Sequence, residues 1–306
     1  VSRGRRGALA ALCLQTFLAA ATYFSAKRAL EEIDPWTIAM MRFAIAAAAI
    51  ALLLGTQARP IPPRAILLRL LFLGVLAVPV NQLLFLEGLA RSTPTHAALV
   101  YALTPLGVRL LDRLLRKTEA SAREWLGLAL ALAGAILVLT RPGHGIAARP
   151  FHGDALILLG MLAWALYTVA SKPLVEAHGA LRVTSWTLLA GAAVALPFGV
   201  PALLRARYAS YSPAAWFGAL YLGIVTSVVC YGLWTFALER LRTTQVAVFS
   251  NLQPPMAALL SWLVLGERIS LPLILGGSLV LAGVLLAQLE RREPPPVEEP
   301  GRSAIT

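Results

Sequence analysis

Twelve polar or aromatic residues stand inside stretches of sequence that are otherwise almost wholly apolar. They are Gln15 and Tyr23, Asn81 and Gln82, Tyr101 and Thr104, Trp164 and Tyr167, Tyr231 and Trp234, and Asn251 and Gln253. Amides, phenols and hydroxyls exchange hydrogen bonds without carrying charge, and indole and phenol rings add stacking faces. Such groups can bind a small solute by hydrogen bonding and stacking and release it again. An amide left unpaired in an apolar medium costs roughly 2–7 kcal/mol, so several at one depth imply a hydrated cavity or a network between helices. Three ionisable residues add to the set: Arg42, Glu87 and His96. A charge at the centre of a bilayer costs roughly 2.5–3.5 kcal/mol on insertion scales, and such groups face protein or water. Arg42 comes early in its apolar stretch and Glu87 late in its own, so both belong toward the same outer end. Two roles are open to them: pairing or snorkelling to the interface, and contact with solute or coupling to protons. His96 opens the next stretch on that side, where it is either an interfacial polar residue or a group titrating near neutral pH.

Missing motifs narrow the chemistry. The chain has no phosphate-cradling Gly loop followed by Lys-Ser or Lys-Thr, which argues against ATP as the driving force. No His-Glu-x-x-His, Gly-x-Ser-x-Gly or paired-cysteine pattern supports a protease or an acyl-transfer enzyme. The two cysteines, Cys13 and Cys230, lie far apart within apolar stretches and read as small buried side chains. No metal site and no cofactor are implied.

The elements that must position these residues are membrane helices. Of 306 residues 58% are hydrophobic and 14% charged, a composition suited to lipid. About 20 apolar residues cross a hydrocarbon core roughly 30 Å thick. Ten stretches qualify, near 7–26, 36–55, 66–89, 94–115, 122–140, 153–172, 182–200, 213–238, 243–265 and 271–289. The expected fold class is therefore an all-α integral membrane protein of ten spans. The net charge of +12 would suggest nucleic acid, but Lys and Arg gather at span ends rather than along one face. With the N-terminus placed inside, 18 basic residues fall in inner segments and 8 in outer ones, Arg42 standing within a span. The positive-inside bias puts both termini in the cytoplasm of a bacterial inner membrane. The expected partners are the bilayer and a small-molecule solute, with no nucleic acid. Arg3, Arg5 and Arg6 before an apolar run resemble a signal peptide, yet the matching stretch at 153–172 makes this a retained first helix. The tail from Glu290 is polar and Pro-rich and is expected to be disordered.

Residues 71–139 recur without a gap 149 positions later, at 220–288. Gly74 overlays Gly223, Arg91 overlays Arg240, Thr95 overlays Thr244, Pro105 overlays Pro254, Gly127 overlays Gly276 and Gly134 overlays Gly283. The earlier spans match less well, at an offset of 145, where Lys27 meets Lys172. A repeat of five spans enters the bilayer in opposite senses, as in many secondary transporters. The division is residues 1–140 for the first copy, 141–152 for a linker, 153–289 for the second copy and 290–306 for the tail. Gly127/Gly134 and Gly276/Gly283 return to one helical face every seven residues, which predicts a contact between the last helices of the two copies. Pro105 and Pro254 each remove one backbone donor inside a span. They serve as kinks that shape the bundle, as hinges beside the cavity, or as both.

An ordered set of residues carries a family resemblance. Ala247 to Pro255 reads AVFSNLQPP, followed by Gly266-Glu267-Arg268-Ile269-Ser270 and a Gly-spaced last helix. The first copy reads HAALVYALTP from His96 to Pro105, and Arg42-Phe43 stands in the second span. Together these resemble the EamA family of the drug/metabolite transporter superfamily over nearly the whole chain. The resemblance implies ten helices in two repeats, a central cavity among spans one, three, four, six, eight and nine, and export of amino acids or other small metabolites. The Gly266-Glu267 pair has no equal in the first copy, which reads Arg116-Lys117-Thr118-Glu119. Two other classes stand against a carrier. A lipid-modifying enzyme would need clustered carboxylates or histidines at one face, and a membrane scaffold would need no polar set at mid-depth.

Overall fold

A computed structural model describes residues 3–55, 63–92, 94–117, 121–139, 151–265 and 271–288. Among them the chain is helical, with short turns and no strand. Each helical run keeps one label here even where a wide or tight turn interrupts it. Helix α1 is Arg3–Ala29 and α2 is Pro35–Gly55. Helix α3, Arg64–Ala90, contains a π segment at Leu76–Val80. Helix α4 is broken into Pro94–Tyr101 and Thr104–Arg116. Helix α5 is Ala122–Leu139, α6 is Phe151–His178 and α7 is Ala180–Arg205. Helix α8, Pro213–Leu238, is wound as a π-helix over Tyr221–Cys230. Helix α9 passes from Thr243–Ala247 through a 3₁₀ stretch, Val248–Leu252, to Gln253–Leu265. Helix α10 is Leu271–Gln288. Most of the expected linker, 141–150, and all of the expected tail, 290–306, lie outside the described residues, as do Gly266 to Ser270.

Local sequence explains the starts. Pro35 opens α2, its missing donor costing nothing in a first turn, and the Asp34 carboxylate accepts from the Thr37 amide at 2.9 Å. Ser212 and Pro213 open α8 in the same way, with the Ser212 hydroxyl accepting from the Ala215 amide at 3.2 Å. Among the described residues six runs are long and apolar enough to cross a bilayer: α1, α2, α3, α6, α7 and α8. Helices α4 and α9 fall short because each is interrupted in its middle. Large apolar side chains face outward, and polar side chains are buried inside among a mostly apolar core. Leu204 is 81% exposed, Leu52 76% and Phe198 70%, while Asn81 and Arg42 are each 1% exposed. Water would not tolerate so much exposed apolar surface on a monomer; lipid requires it.

The two copies touch as the glycine spacing predicts. A methyl group on Gly127 of α5 would stand 2.9 Å from the Gly283 carbonyl oxygen of α10, and one on Gly134 would stand 2.5 Å from that of Gly276. Early residues of one helix thus meet late residues of the other, so α5 and α10 run antiparallel. Because Gly127 is the repeat equivalent of Gly276, and Gly134 of Gly283, the contact is reciprocal, as a twofold relation demands. A second pair of contacts obeys the same rule. A methyl on Gly74 of α3 would meet the Thr187 carbonyl of α7, and one on its equivalent Gly223 of α8 would meet the Arg42 carbonyl of α2. The two lysines agree. Lys27 donates to the Leu89 carbonyl at 3.0 Å at the end of α3, and Lys172 donates to the Leu238 carbonyl at 2.6 Å at the end of α8. Each lysine satisfies a carbonyl at the negative end of a helix, and Leu89 and Leu238 are themselves repeat equivalents.

The glycine contacts leave no room for a branched side chain. Gly134→Val is expected to lower stability by about 1–3 kcal/mol through overpacking, measured as thermal unfolding in detergent micelles. Gly232→Ala, where a methyl meets nothing within 4 Å, is expected to leave the transition in place.

Candidate functional site

Between the copies lies a partly open cavity of about 80 Å³. Its wall comes from α1, α3 and α4 of the first copy and from their repeat equivalents α6, α8 and α9 of the second. Helix α1 contributes Gln15, Ala19, Thr22 and Tyr23, residues spaced four, three and one apart and so on one helical face. Helix α3 contributes Asn81, Gln82 and Phe85, α4 contributes Tyr101 and α6 contributes Trp164. Helix α8 contributes Thr226, Cys230, Tyr231 and Trp234, and α9 contributes Gln253. No carboxylate, lysine or arginine is among these wall residues.

Hydrogen bonds cross from copy to copy. Gln82 donates through Nε2 to the Tyr231 hydroxyl at 2.8 Å, and Tyr231 donates to the Ala77 carbonyl at 2.8 Å. Gln82 and Tyr231 are repeat equivalents in direct contact, which places the pair on the pseudo-twofold axis. The Tyr23 hydroxyl donates to Gln253 Oε1 at 2.6 Å, and the Thr22 and Thr226 hydroxyls share a hydrogen bond of 2.9 Å. Asn81 Nδ2 donates to the Tyr101 hydroxyl at 2.9 Å and to the Gly160 carbonyl at 2.7 Å. Aromatic rings gather in two groups. Tyr23, Phe85 and Tyr101 meet edge to face, with centroids 5.7–6.3 Å apart. Trp164 sits among Tyr167, Tyr231 and Trp234, with centroids 4.8–5.4 Å from its own.

Backbone irregularity at the same level has a cause in each case. The π segment of α3 contains Pro79, but α8 widens at the equivalent place without a proline. In α8 the Ser227 hydroxyl donates five residues back, to the Leu222 carbonyl at 2.8 Å. In α3 the Ala77 carbonyl is taken by Tyr231. Pro79 is therefore one contributor to a shared feature rather than a local bend of one copy. Pro105 and Pro254 do not kink continuous helices either; each lies in the first turn of a fresh helical segment. Pro105 has no donor for the Tyr101 carbonyl one turn back, and the Thr104 hydroxyl takes that carbonyl at 2.6 Å. In α9 a tight 3₁₀ bond from the Gln253 amide to the Ser250 carbonyl has the same effect.

Nine of the twelve residues singled out by sequence are on the wall: Gln15, Tyr23, Asn81, Gln82, Tyr101, Trp164, Tyr231, Trp234 and Gln253. Three are off it. Thr104 is spent on the Tyr101 carbonyl, Tyr167 lies fully buried against Trp164, and Asn251 is buried in the 3₁₀ stretch of α9. Arg42 and Glu87 do not pair. Glu87 bonds Arg91, one turn along its own helix, while Arg42 bonds Ser227 at 2.6 Å and Gln82. The shorter reach decides this: an exposed i,i+4 partner is available to Glu87 without crossing the bundle. The His96 side chain lies outside the described residues. Sequence reasoning missed Ala19, Thr22, Phe85, Thr226 and Cys230, although the face that Gln15 and Tyr23 define passes through the first two. It also missed a charged cluster at the end of α4, in which Arg109, Asp112 and Glu124 are buried and Arg242 is part-exposed. Arg109 and Arg242 stand 4.0 and 3.9 Å from the Glu124 carboxylate, and Thr243 donates to Asp112 at 2.9 Å. The signal was Arg109 and Asp112, three residues apart on one helical face.

The EamA-like transporter family matches residues 5–140 and 151–289. The chain belongs to that family. Like its EamA-like relatives it is a multi-pass membrane protein of a transporter family. It is 29% identical to the uncharacterized transporter YyaM of Bacillus subtilis, over 87% of this chain and 88% of that protein. An uncharacterized transporter of Archaeoglobus fulgidus is 26% identical over 92% of this chain and 97% of its own length. A probable terminal-alkyne amino-acid exporter of Streptantibioticus cattleyicolor is 26% identical over 81% of this chain and 82% of its own. A solved crystal structure superposes with a TM-score of 0.73 at 20% identity, covering 94% of this chain and 98% of that one, which shows the EamA-like chain to share its fold.

Two tyrosines separate structural from idle hydroxyls. Tyr231→Phe removes bonds to Ala77 and Gln82 and is expected to cost about 1–3 kcal/mol, read as solute-free thermal stability. Tyr167→Phe removes a buried hydroxyl that has no hydrogen-bond partner and is expected to be neutral or slightly stabilising in the same assay.

Proposed function

We propose that this protein is a secondary carrier that exports small metabolites such as amino acids. The runs α1 to α10 act as ten spans, with both termini on the cytoplasmic side of a bacterial plasma membrane. The first copy, residues 1–140, and the second, 153–289, enter the bilayer in opposite senses and rock about the axis that Gln82 and Tyr231 mark. The breaks before Pro105 and Pro254 serve as hinges. One observation carries the reading: a charge-free polar and aromatic cavity is set between equivalent helices of the two copies. Neutral donors and ring faces suit a zwitterionic or amphipathic solute, which must be bound loosely enough to leave again. Family membership supports transport, and the relative named as an amino-acid exporter supports both the solute class and the direction.

Purified protein in proteoliposomes provides the test, using counterflow of a panel of amino acids and small metabolites. At least one member of the panel should move faster than through protein-free liposomes. Asn81→Leu and Trp164→Ala should each cut that flux by about 10-fold or more, equivalent to roughly 1.4 kcal/mol of lost solute binding. Native flux in either variant, at native thermal stability, would remove the cavity from the transport path.

A further inference from the structure

Among the described residues Arg42 is a buried cation without a counter-ion. It is 1% exposed, on α2, a helix that gives the cavity wall no residue of its own. Its Nε donates to the Ser227 hydroxyl at 2.6 Å, its Nη1 donates to Gln82 Oε1, and its Nη2 is buried with no hydrogen-bond partner. Both partners are neutral, and Glu87 is committed to Arg91. Neutral acceptors satisfy N–H groups but leave the charge itself uncompensated, and a buried charge persists only where something repays its desolvation. Gln82 belongs to the cavity wall and Ser227 adjoins the wall residue Thr226, so the guanidinium stands one side chain behind the cavity. The repeat equivalent of Arg42 is Thr187, which is uncharged. The positive field therefore enters from the first copy alone and gives the cavity a polarity that its pseudo-symmetry lacks.

We propose that the cargo carries a carboxylate and that Arg42 is the residue that binds it, an assignment that rests on the carrier reading above. The Gln82 amide oxygen holds the place of one anionic oxygen. On binding, one carboxylate oxygen replaces it on Nη1 and the other takes the free Nη2, the two-pronged geometry that guanidinium favours. Gln82 keeps its bond to Tyr231 and remains on the wall.

The experiment compares each amino acid with its own carboxamide, which has nearly the same shape but no anion, by counterflow in proteoliposomes. The native protein should prefer the acid by at least about tenfold, the scale of a lost charge-assisted hydrogen bond. Arg42→Gln should bring the acid-to-amide ratio close to one. Gln82→Glu places a carboxylate beside Arg42 from within and should collapse the ratio too. Because it neutralises the buried charge, it keeps the question open to a folded variant even where Arg42→Gln fails to assemble. Equal transport of acid and amide by the native protein overturns the assignment, and so does a ratio that survives in Gln82→Glu. A protein that moves no acid, amide or other member of the metabolite panel overturns the carrier reading itself, and the assignment falls with it.

Discussion

Glycine-to-carbonyl contact between α5 and α10 sets the geometry on which the other features depend. Gly127 and Gly134 approach Gly283 and Gly276 so closely that the backbones themselves are in contact. Such closeness gives helices a packing interface in lipid, where the hydrophobic effect cannot hold them together. Because the partners are repeat equivalents, the contact also fixes an axis. Backbone contacts on one side of that axis then have counterparts on the other, as Gly74 with Thr187 and Gly223 with Arg42 demonstrate. Residues on the axis meet their own equivalents, which is why Gln82 bonds Tyr231. The cavity is where it is because that axis is where two sets of equivalent helices converge without filling the space.

Burying polar groups at that level favours an answer for each. A π turn, a 3₁₀ stretch or a proline releases a carbonyl, and a hydroxyl or amide nearby takes it: Tyr231 for Ala77, Ser227 for Leu222, Thr104 for Tyr101. These irregular turns are not faults in membrane helices. They put backbone and side-chain polarity next to the cavity while shielding it from lipid, the one place where a spanning helix tolerates a break. Not every group is answered: the Tyr167 hydroxyl and Asn251 Oδ1 have no partner, and hydrogen bonding answers the Arg42 N–H groups only in part and its charge not at all.

Much of this was legible in the residues. Helix positions follow from apolar run length, and the α5–α10 contact follows from a seven-residue glycine spacing inside a repeat. The wall follows in large part from amides and aromatics that lipid would reject. The omissions are equally physical. Thr22 and Ala19 lie on the face that Gln15 and Tyr23 define, but threonine and alanine in a membrane helix carry no energetic signal of their own. One partner of Arg42 is a serine 185 residues away and the other is Gln82, and nothing in local sequence predicts that a cation will choose neutral acceptors over Glu87. Thr104, Tyr167 and Asn251 share the depth of the wall residues without sharing their direction, because polarity reports depth and not facing.

The central claim is that the cavity between the copies opens alternately to the two sides of the membrane. Cys230 stands on the cavity wall, and only Cys13 competes with it for thiol reagents. With Cys13 replaced by serine, a small membrane-impermeant thiol reagent can be applied to right-side-out and to inverted vesicles in turn. Alternating access predicts that Cys230 reacts from both sides and that a transported solute slows both reactions. Reaction from one side only, at a rate that solute does not change, would contradict it.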